Sequence, residues 1–255
     1  MIFYRPTALF LALGLFFFGC SDNFSASKEF QVKQVIDGDT IELDNGESVR
    51  YIGIDTPETR KREGDTWVYV GEPFAEKAKD FNRRLVEGKV ARLELDVQKK
   101  DKYGRVLAYC FVEDNFVNAR MLQEGLALLY TIPPNVKYVD LLVKAQKEAR
   151  ENNRGLWAQI PVISVKEAGK YLNQVAIVEG KVSSVYQSAK VTILNFGRSD
   201  FKAVIFKNDL ASFMAAGVSV SSYKGKTLRI SGKVKEYKDK FEIIVSHPSS
   251  IEVVD

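Results

Sequence analysis

Apolar and polar residues alternate in short runs along most of the chain, and Gly, Asn and Asp punctuate the runs. Over residues 30–54 the pattern reads as a β-meander. FQVKQVI, TIEL and SVRYIGI are strands, and Asp37-Gly38 and Asp44-Asn45-Gly46 are their turns. Residues 60–72 read as a charged, Gly-containing loop. Pro73 suits the first turn of a helix, and Phe74, Ala78, Phe81 and Leu85 then recur at helical spacing up to a stop at Gly88. VARLELDV and RVLAYCFV read as strands joined through a Lys102-Tyr103-Gly104 turn. Residues 116–124 and 137–152 read as helices, the second stopping at Asn152, Asn153 and Gly155. Five strands with inserted helices predict a mainly β (α+β) fold, an OB-fold barrel with helices.

The pattern restarts after AQIPVIS, residues 158–164, which reads as a linker. VAIVEGKVSSVY, KVTILNF, FKAVIF, KTLRISGKVKEY and FEIIVSH read as five strands. NDLASFMAAG, between the third and fourth, reads as a helix capped by Asn208 or Asp209. This order predicts a second, smaller OB-like barrel over residues 165–255.

Composition narrows the chemistry. The chain has 255 residues with two cysteines and one histidine, His247. Two cysteines support neither a disulfide framework nor a four-cysteine zinc site, and one histidine supports no histidine cluster. His247, followed by Pro248, reads as a strand-end residue. An enzyme built from this chain must use carboxylates, arginines, lysines, hydroxyls or an oxygen-ligated metal. The net charge of +4 is unevenly placed: residues 1–160 carry 23 Lys+Arg and 24 Asp+Glu, whereas residues 161–255 carry 14 and 9. The first part is balanced and rich in both signs, and the second is basic.

The N-terminus reads as an address. Arg5 precedes an apolar run from Ala8 to Phe18, too short to span a bilayer comfortably and the right length for a secretory signal. Gly19-Cys20 resembles the end of a bacterial lipobox, with Phe17 where Leu is usual. Residues 1–19 are therefore expected to be a signal peptide, Cys20 a lipidation site, and 20–29 a tether. A plain signal peptide or an uncleaved anchor is the simpler alternative. The expected protein is exported and lipid-anchored to a bacterial membrane, facing the periplasm or the cell surface. Cys110, in an apolar strand, is expected in the core with no disulfide.

Three clusters stand out: Asp37-Gly38-Asp39-Thr40; Arg50 followed by Asp55-Thr56-Pro57-Glu58-Thr59; and Asp101-Lys102-Tyr103-Gly104-Arg105. Singly, each is more often a turn than a site. In this order and spacing, with Gly125-Leu126-Ala127 and Gly155-Leu156-Trp157, residues 30–157 resemble the staphylococcal nuclease family. The resemblance implies an OB barrel that hydrolyses phosphodiester bonds of DNA and RNA with Ca²⁺. It implies Asp39, Asp55 and the Thr56 carbonyl as calcium ligands, with Asp37 nearby. It implies Glu58 as the carboxylate that activates water and Arg50 and Arg105 as catalytic arginines. Lys102, Tyr103 and Tyr130 match residues that hold the nucleotide. Ile132 stands where many relatives carry a second tyrosine, and the 60–72 loop differs from the family prototype.

The residue types suit that chemistry. A phosphodiester is anionic, so attack by water requires charge neutralisation. Hard oxygen ligands suit Ca²⁺, a carboxylate can take a proton from water, and arginine presents a bidentate fork that is always charged. In the second domain Arg229, Ser231, Lys233, Lys235 and Tyr237 share one strand face. That face could track a nucleic-acid backbone and stack a base, or it could be a solvated, Lys-rich strand. A non-catalytic pair of OB modules and a structural envelope lipoprotein are the competing readings. The presence of all six catalytic and ligand positions favours the enzyme. Oligomeric state is not legible.

Overall fold

The computed structural model describes residues 28–64 and 66–254, so the expected signal peptide, Cys20 and most of the tether lie outside the described residues. Strand β1 (Lys28–Asp37) buries Val32 and Val35, three residues apart, on one side. Strict alternation would not allow this. A register shift between Val32 and Gln34 inserts an extra residue and turns both valines inward. β2 (Thr40–Leu43) and β3 (Ser48–Tyr51) complete the meander. The expected third strand breaks after Tyr51 and resumes as β4 (Gly53–Asp55). Gly53 makes the break with φ +83, a conformation open to glycine.

The 60–72 segment is more ordered than a loop, because β5 (Arg60–Glu63) and β6 (Thr66–Tyr69) pair as a hairpin. Helix α1 (Ala75–Val86) buries Ala75, Ala78, Asn82 and Val86, while Phe74, Phe81 and Leu85 pack half-buried beside them. β7 (Val90–Lys100), β8 (Val106–Val112) and β9 (Asn115–Phe116) follow, then α2 (Val117–Gln123), β10 (Leu128–Tyr130) and α3 (Val139–Glu151). The first sheet runs β3-β2-β1-β7-β8-β9, and β3 also pairs in parallel with β8, which closes a five-stranded barrel. The fold is thus mainly β, an OB barrel with helices. Ile41, Leu43, Val49, Ile54, Tyr109 and Cys110 fill its core, and each large apolar side chain buried there contributes roughly 1.5–3 kcal/mol. Burial pushes the free Cys110 thiol up to about 12, so it behaves as a small hydrophobe.

A second hydrophobic cluster begins at Ile163. Part of the expected linker is structured, because β11 (Val162–Ser164) pairs in parallel with β12 (Val175–Lys181). The long strands expected next are each bent in two. The first becomes β12 and β13 (Ser184–Gln187). β14 (Val191–Asn195), β15 (Phe201–Phe206) and helix α4 (Leu210–Ala215) follow. The other long strand becomes β16 (Thr227–Lys233) and β17 (Lys235–Tyr237), parted at the buried Val234, and β18 (Lys240–Ile244) and β19 (Ile251–Val253) end the chain. The sheets run β11-β12-β16-β19 and β13-β14-β15-β18-β17, so both bent strands cross from one sheet to the other around one core.

Candidate active site

Strand register brings the site together. Thr40 pairs with Arg50 across β2 and β3, which sets Asp39 beside Arg50. β4 pairs with β10 so that Leu128 faces Asp55 and Tyr130 faces Gly53, carrying Tyr130 to the same place. Gly38 lets the Asp37–Thr40 corner close on the 56–59 turn. A Cβ at residue 38 would lie 2.7 Å from Thr56 Oγ1 and 2.9 Å from Thr56 Cβ.

Arg50 is the hub. Its Nη1 donates to the carbonyls of Ile54 (2.9 Å) and Tyr51 (3.1 Å) and lies 2.9 Å from Asp39 Oδ2. Its Nη2 donates to Asp55 Oδ1 at 2.8 Å. Burial opposes the guanidinium charge, but Asp39, Asp55, Glu58 and Asp37 outweigh it and raise the pKa above the ordinary arginine value. Asp39 is only 4% exposed. Its Oδ2 also accepts the Thr56 N–H (3.0 Å), and its Oδ1 accepts the Thr40 hydroxyl (3.0 Å). Asp37 accepts the Gly38 N–H (2.9 Å) and the Thr59 hydroxyl (3.3 Å), and shares a hydrogen bond with Glu58.

These four carboxylates crowd one another. Burial first, then the charges of Asp39, Asp37 and Asp55, push the Glu58 carboxyl up to about 8. Burial and Asp39 raise Asp37 as well. Burial raises Asp55 although Arg50 opposes it. Arg50 alone does not offset this much negative charge, and a further cation fits the cluster. The donors are carboxylate oxygens of Asp39 and Asp55 with the Thr56 carbonyl, all hard ligands. Among the described residues no three His, Cys, Asp or Glu side chains form a cage of their own. Such a site therefore leaves positions to water and substrate, which Ca²⁺ tolerates.

Arg105 is held differently. Asp101 Oδ2 takes its Nε–H at 2.7 Å, while Asp101 Oδ1 takes the backbone N–H groups of Tyr103 (2.9 Å) and Arg105 (3.0 Å). Asp101 feels a burial penalty, but these bonds lower its pKa below the usual value. Among the described residues no hydrogen bond or ion pair reaches the terminal nitrogens of Arg105, and its guanidinium lies 5.5 Å from the Tyr103 ring centre. Arg50, Arg105, Lys102, Tyr103 and Tyr130 line one cavity of about 460 Å³, and the half-exposed Ile132 forms part of its wall.

Three contributors have no site role in the sequence reading. Glu72 accepts the Glu58 backbone N–H. Asn82, fully buried on α1, takes the Tyr51 hydroxyl (3.0 Å) and donates to the Asp37 carbonyl (3.3 Å). Asp101 orients Arg105. Only Asp101 stood inside a cluster visible in the sequence, and its role depends on the turn closing. Of the residues picked on the second unit, Arg229 pairs with Glu179 at 2.7 Å and Lys233 pairs with Glu72. Lys235 lines a narrow cleft with Asp55, and Tyr237 is exposed.

The family model described as "Staphylococcal nuclease homologue" matches residues 48–159. The thermonuclease of Staphylococcus intermedius is 41% identical over 133 residues, covering 51% of this chain and 76% of that protein. The chain belongs to the staphylococcal nuclease family. The thermonuclease of Staphylococcus hyicus is 38% identical over 132 residues, 51% of this chain and 75% of that protein. Endonuclease YncB of Bacillus subtilis (strain 168) is 38% identical over 131 residues, 49% of this chain and 60% of that protein. As a member of the staphylococcal nuclease family, the chain is a nucleic-acid-hydrolysing enzyme.

Proposed function

We propose that the protein is an exported, Ca²⁺-dependent nuclease that hydrolyses phosphodiester bonds of DNA and RNA from a lipid anchor at Cys20. The observation that carries the catalytic part is that Asp39 and Asp55 both pair with Arg50, at 2.9 and 2.8 Å, with Asp37 and Glu58 near enough to act on its charge, beside a cavity that Arg50 shares with Arg105. The N-terminal apolar run and Gly19-Cys20 support the compartment.

Asp39, Asp55 and the Thr56 carbonyl would hold Ca²⁺. When bound, the ion supplies positive charge that offsets the carboxylates, favours ionised Glu58 and neutralises a phosphate oxygen. Glu58 takes a proton from water as the water oxygen bonds to phosphorus, and the opposite P–O ester bond breaks. The departing oxygen is protonated from solvent. Arg50 is anchored through Nη1 and one Nη2 hydrogen, which leaves its other donors to the phosphate. Arg105, clamped only through Nε, offers both terminal nitrogens. The two forks gain most when the phosphorus carries its extra negative charge, so they lower the barrier more than they tighten ground-state binding. Lys102 and Tyr103 suit an outer phosphate, and Tyr130 suits the nucleotide in the cavity.

The test is hydrolysis of single-stranded DNA and of RNA by the purified protein in Ca²⁺ or in excess chelator. Cleavage confined to the Ca²⁺ arm is expected. Equal rates in both arms would overturn the metal assignment.

A further inference from the structure

The second unit docks against the active-site side of the barrel. Thr131, next to Tyr130, donates its N–H to Ser246 Oγ (3.2 Å) and its hydroxyl to the Ser246 carbonyl (3.3 Å). Arg150 pairs with Glu252, and Lys233 pairs with Glu72. These ties lay the bend between β16 and β17 against Asp55. Asp55, Tyr130, Ser231, Lys233 and Lys235 line one narrow cleft between the two units.

The lysines there are not equivalent. Lys233 is spent on Glu72. Lys235 is half-buried and has no ion-pair partner among the described residues. The carboxylate opposite it in strand register is Glu242, and Lys202 holds that carboxylate at 3.1 Å. Its cross-strand acid is taken and Asp55 shares the cleft without an ion pair to it, so the Lys235 ammonium has capacity for an external anion. Tyr237, two residues along and so on the same side of the strand, is 54% exposed. The ammonium groups of Lys202 and Lys238 lie 5.3 and 5.4 Å from its ring centre.

We propose that Lys235 and Tyr237 form a substrate subsite supplied by the second unit, for a single-stranded nucleic acid running on from the catalytic cavity. On this path the strand leaves the 460 Å³ cavity, passes Arg50 with its scissile phosphate, and sets the next phosphate at the mouth of the cleft beside Lys235, since the cleft itself, about 40 Å³, is too small for a nucleotide. An unpaired base can then stack on Tyr237, which a duplex would not offer. The inference rests on the nuclease reading for the direction of the strand, while the cleft and its free lysine stand on their own geometry.

The test uses the full chain with a fluorescently labelled single-stranded 12-mer in excess chelator, so that binding is read without cleavage. Lys235→Ala should weaken binding about 5- to 10-fold, and should reduce the slope of log K against log salt by ~0.7, the value for one lost phosphate contact on a single strand. Lys235→Glu should weaken it further, Lys235→Arg should restore it, and Tyr237→Ala should weaken it with no change in salt slope. In Ca²⁺, the rise in KM caused by Lys235→Ala should be at least several-fold larger on the 12-mer than on a dinucleotide. Unchanged 12-mer binding by Lys235→Ala and Lys235→Glu would overturn the subsite. Equal losses on both substrate lengths would do the same. If the wild-type protein binds the 12-mer through Lys235 but never cleaves it, the nuclease reading fails and the subsite stands.

Discussion

Glu58 and Glu72 clasp each other through two hydrogen bonds. The Glu58 N–H donates to Glu72 Oε2 at 3.0 Å, and the Glu72 N–H donates to the Glu58 carbonyl at 3.2 Å. The other carboxylate oxygen of Glu72 holds Lys233 of the second unit. One mostly buried acid therefore fixes both the turn that carries Glu58, the carboxylate proposed to activate water, and the seat of the second unit.

Glu72→Ala should lower kcat by roughly 10- to 100-fold and change KM far less, because a displaced general base costs turnover more than binding. Glu72→Gln keeps an acceptor for the Glu58 N–H and should recover much of that loss. Steady-state kinetics of the two variants checks this. Equal kcat and KM effects in both would show that Glu72 matters only for stability.

Gly38→Ala should raise the Ca²⁺ dissociation constant and destabilise the fold by about 1–3 kcal/mol, since the new methyl meets Thr56 at 2.7 Å. Thr56 must shift to admit it, and with it the carbonyl assigned to the ion. Calcium titration by calorimetry and thermal unfolding read the two effects separately.

Glu94 tests electrostatics away from the site. Burial opposes its charge, but Lys137 (2.8 Å), the Tyr138 hydroxyl (2.7 Å) and Arg92 pull its carboxyl down to about 2. A carboxylate lowered on folding stabilises the protein above its unfolded pKa, and that contribution is lost as pH falls from about 4.5 toward 2. Solvent screens part of this gain, so Glu94→Gln should cost about 1–2 kcal/mol at pH 7, and the difference from wild type should vanish at strongly acidic pH. Urea unfolding across that range checks it.

Asp209 carries the opposite sign. Burial raises its carboxyl to about 7, so the folded state holds a proton that the unfolded state releases near 4. Stability should fall as pH rises through that window. Asp209→Asn should stabilise the protein at pH 8 by about 1–3 kcal/mol and have little effect at pH 3. A smaller stability at pH 8 for the variant would contradict the assignment.

Much of this arrangement was legible in the residues. The alternating runs located the barrel strands, and the clusters held residues that the fold brings together: Asp39 and Asp55 bond to Arg50, and Arg50 shares a cavity with Arg105. Spacing could not show the kink at Gly53 or the bulge between Val32 and Gln34, because both depend on how strands pair. Nor could it show that VAIVEGKVSSVY and KTLRISGKVKEY each bend between two sheets, since alternation continues through a bend. Glu72 and Asn82 were invisible for a related reason. An acid before a proline and a polar residue on an amphipathic helix are ordinary surface features until tertiary packing buries them.

In the proposed mechanism Glu58 activates water while Arg50 and Arg105 stabilise the charged phosphorus. The most direct measurement is the turnover of single-stranded DNA at saturating substrate and Ca²⁺ by wild type, Glu58→Gln and Arg105→Ala. Each variant should lose ~10²–10⁴-fold in kcat with its fold intact by circular dichroism. A kcat within ten-fold of wild type for either variant would contradict the account.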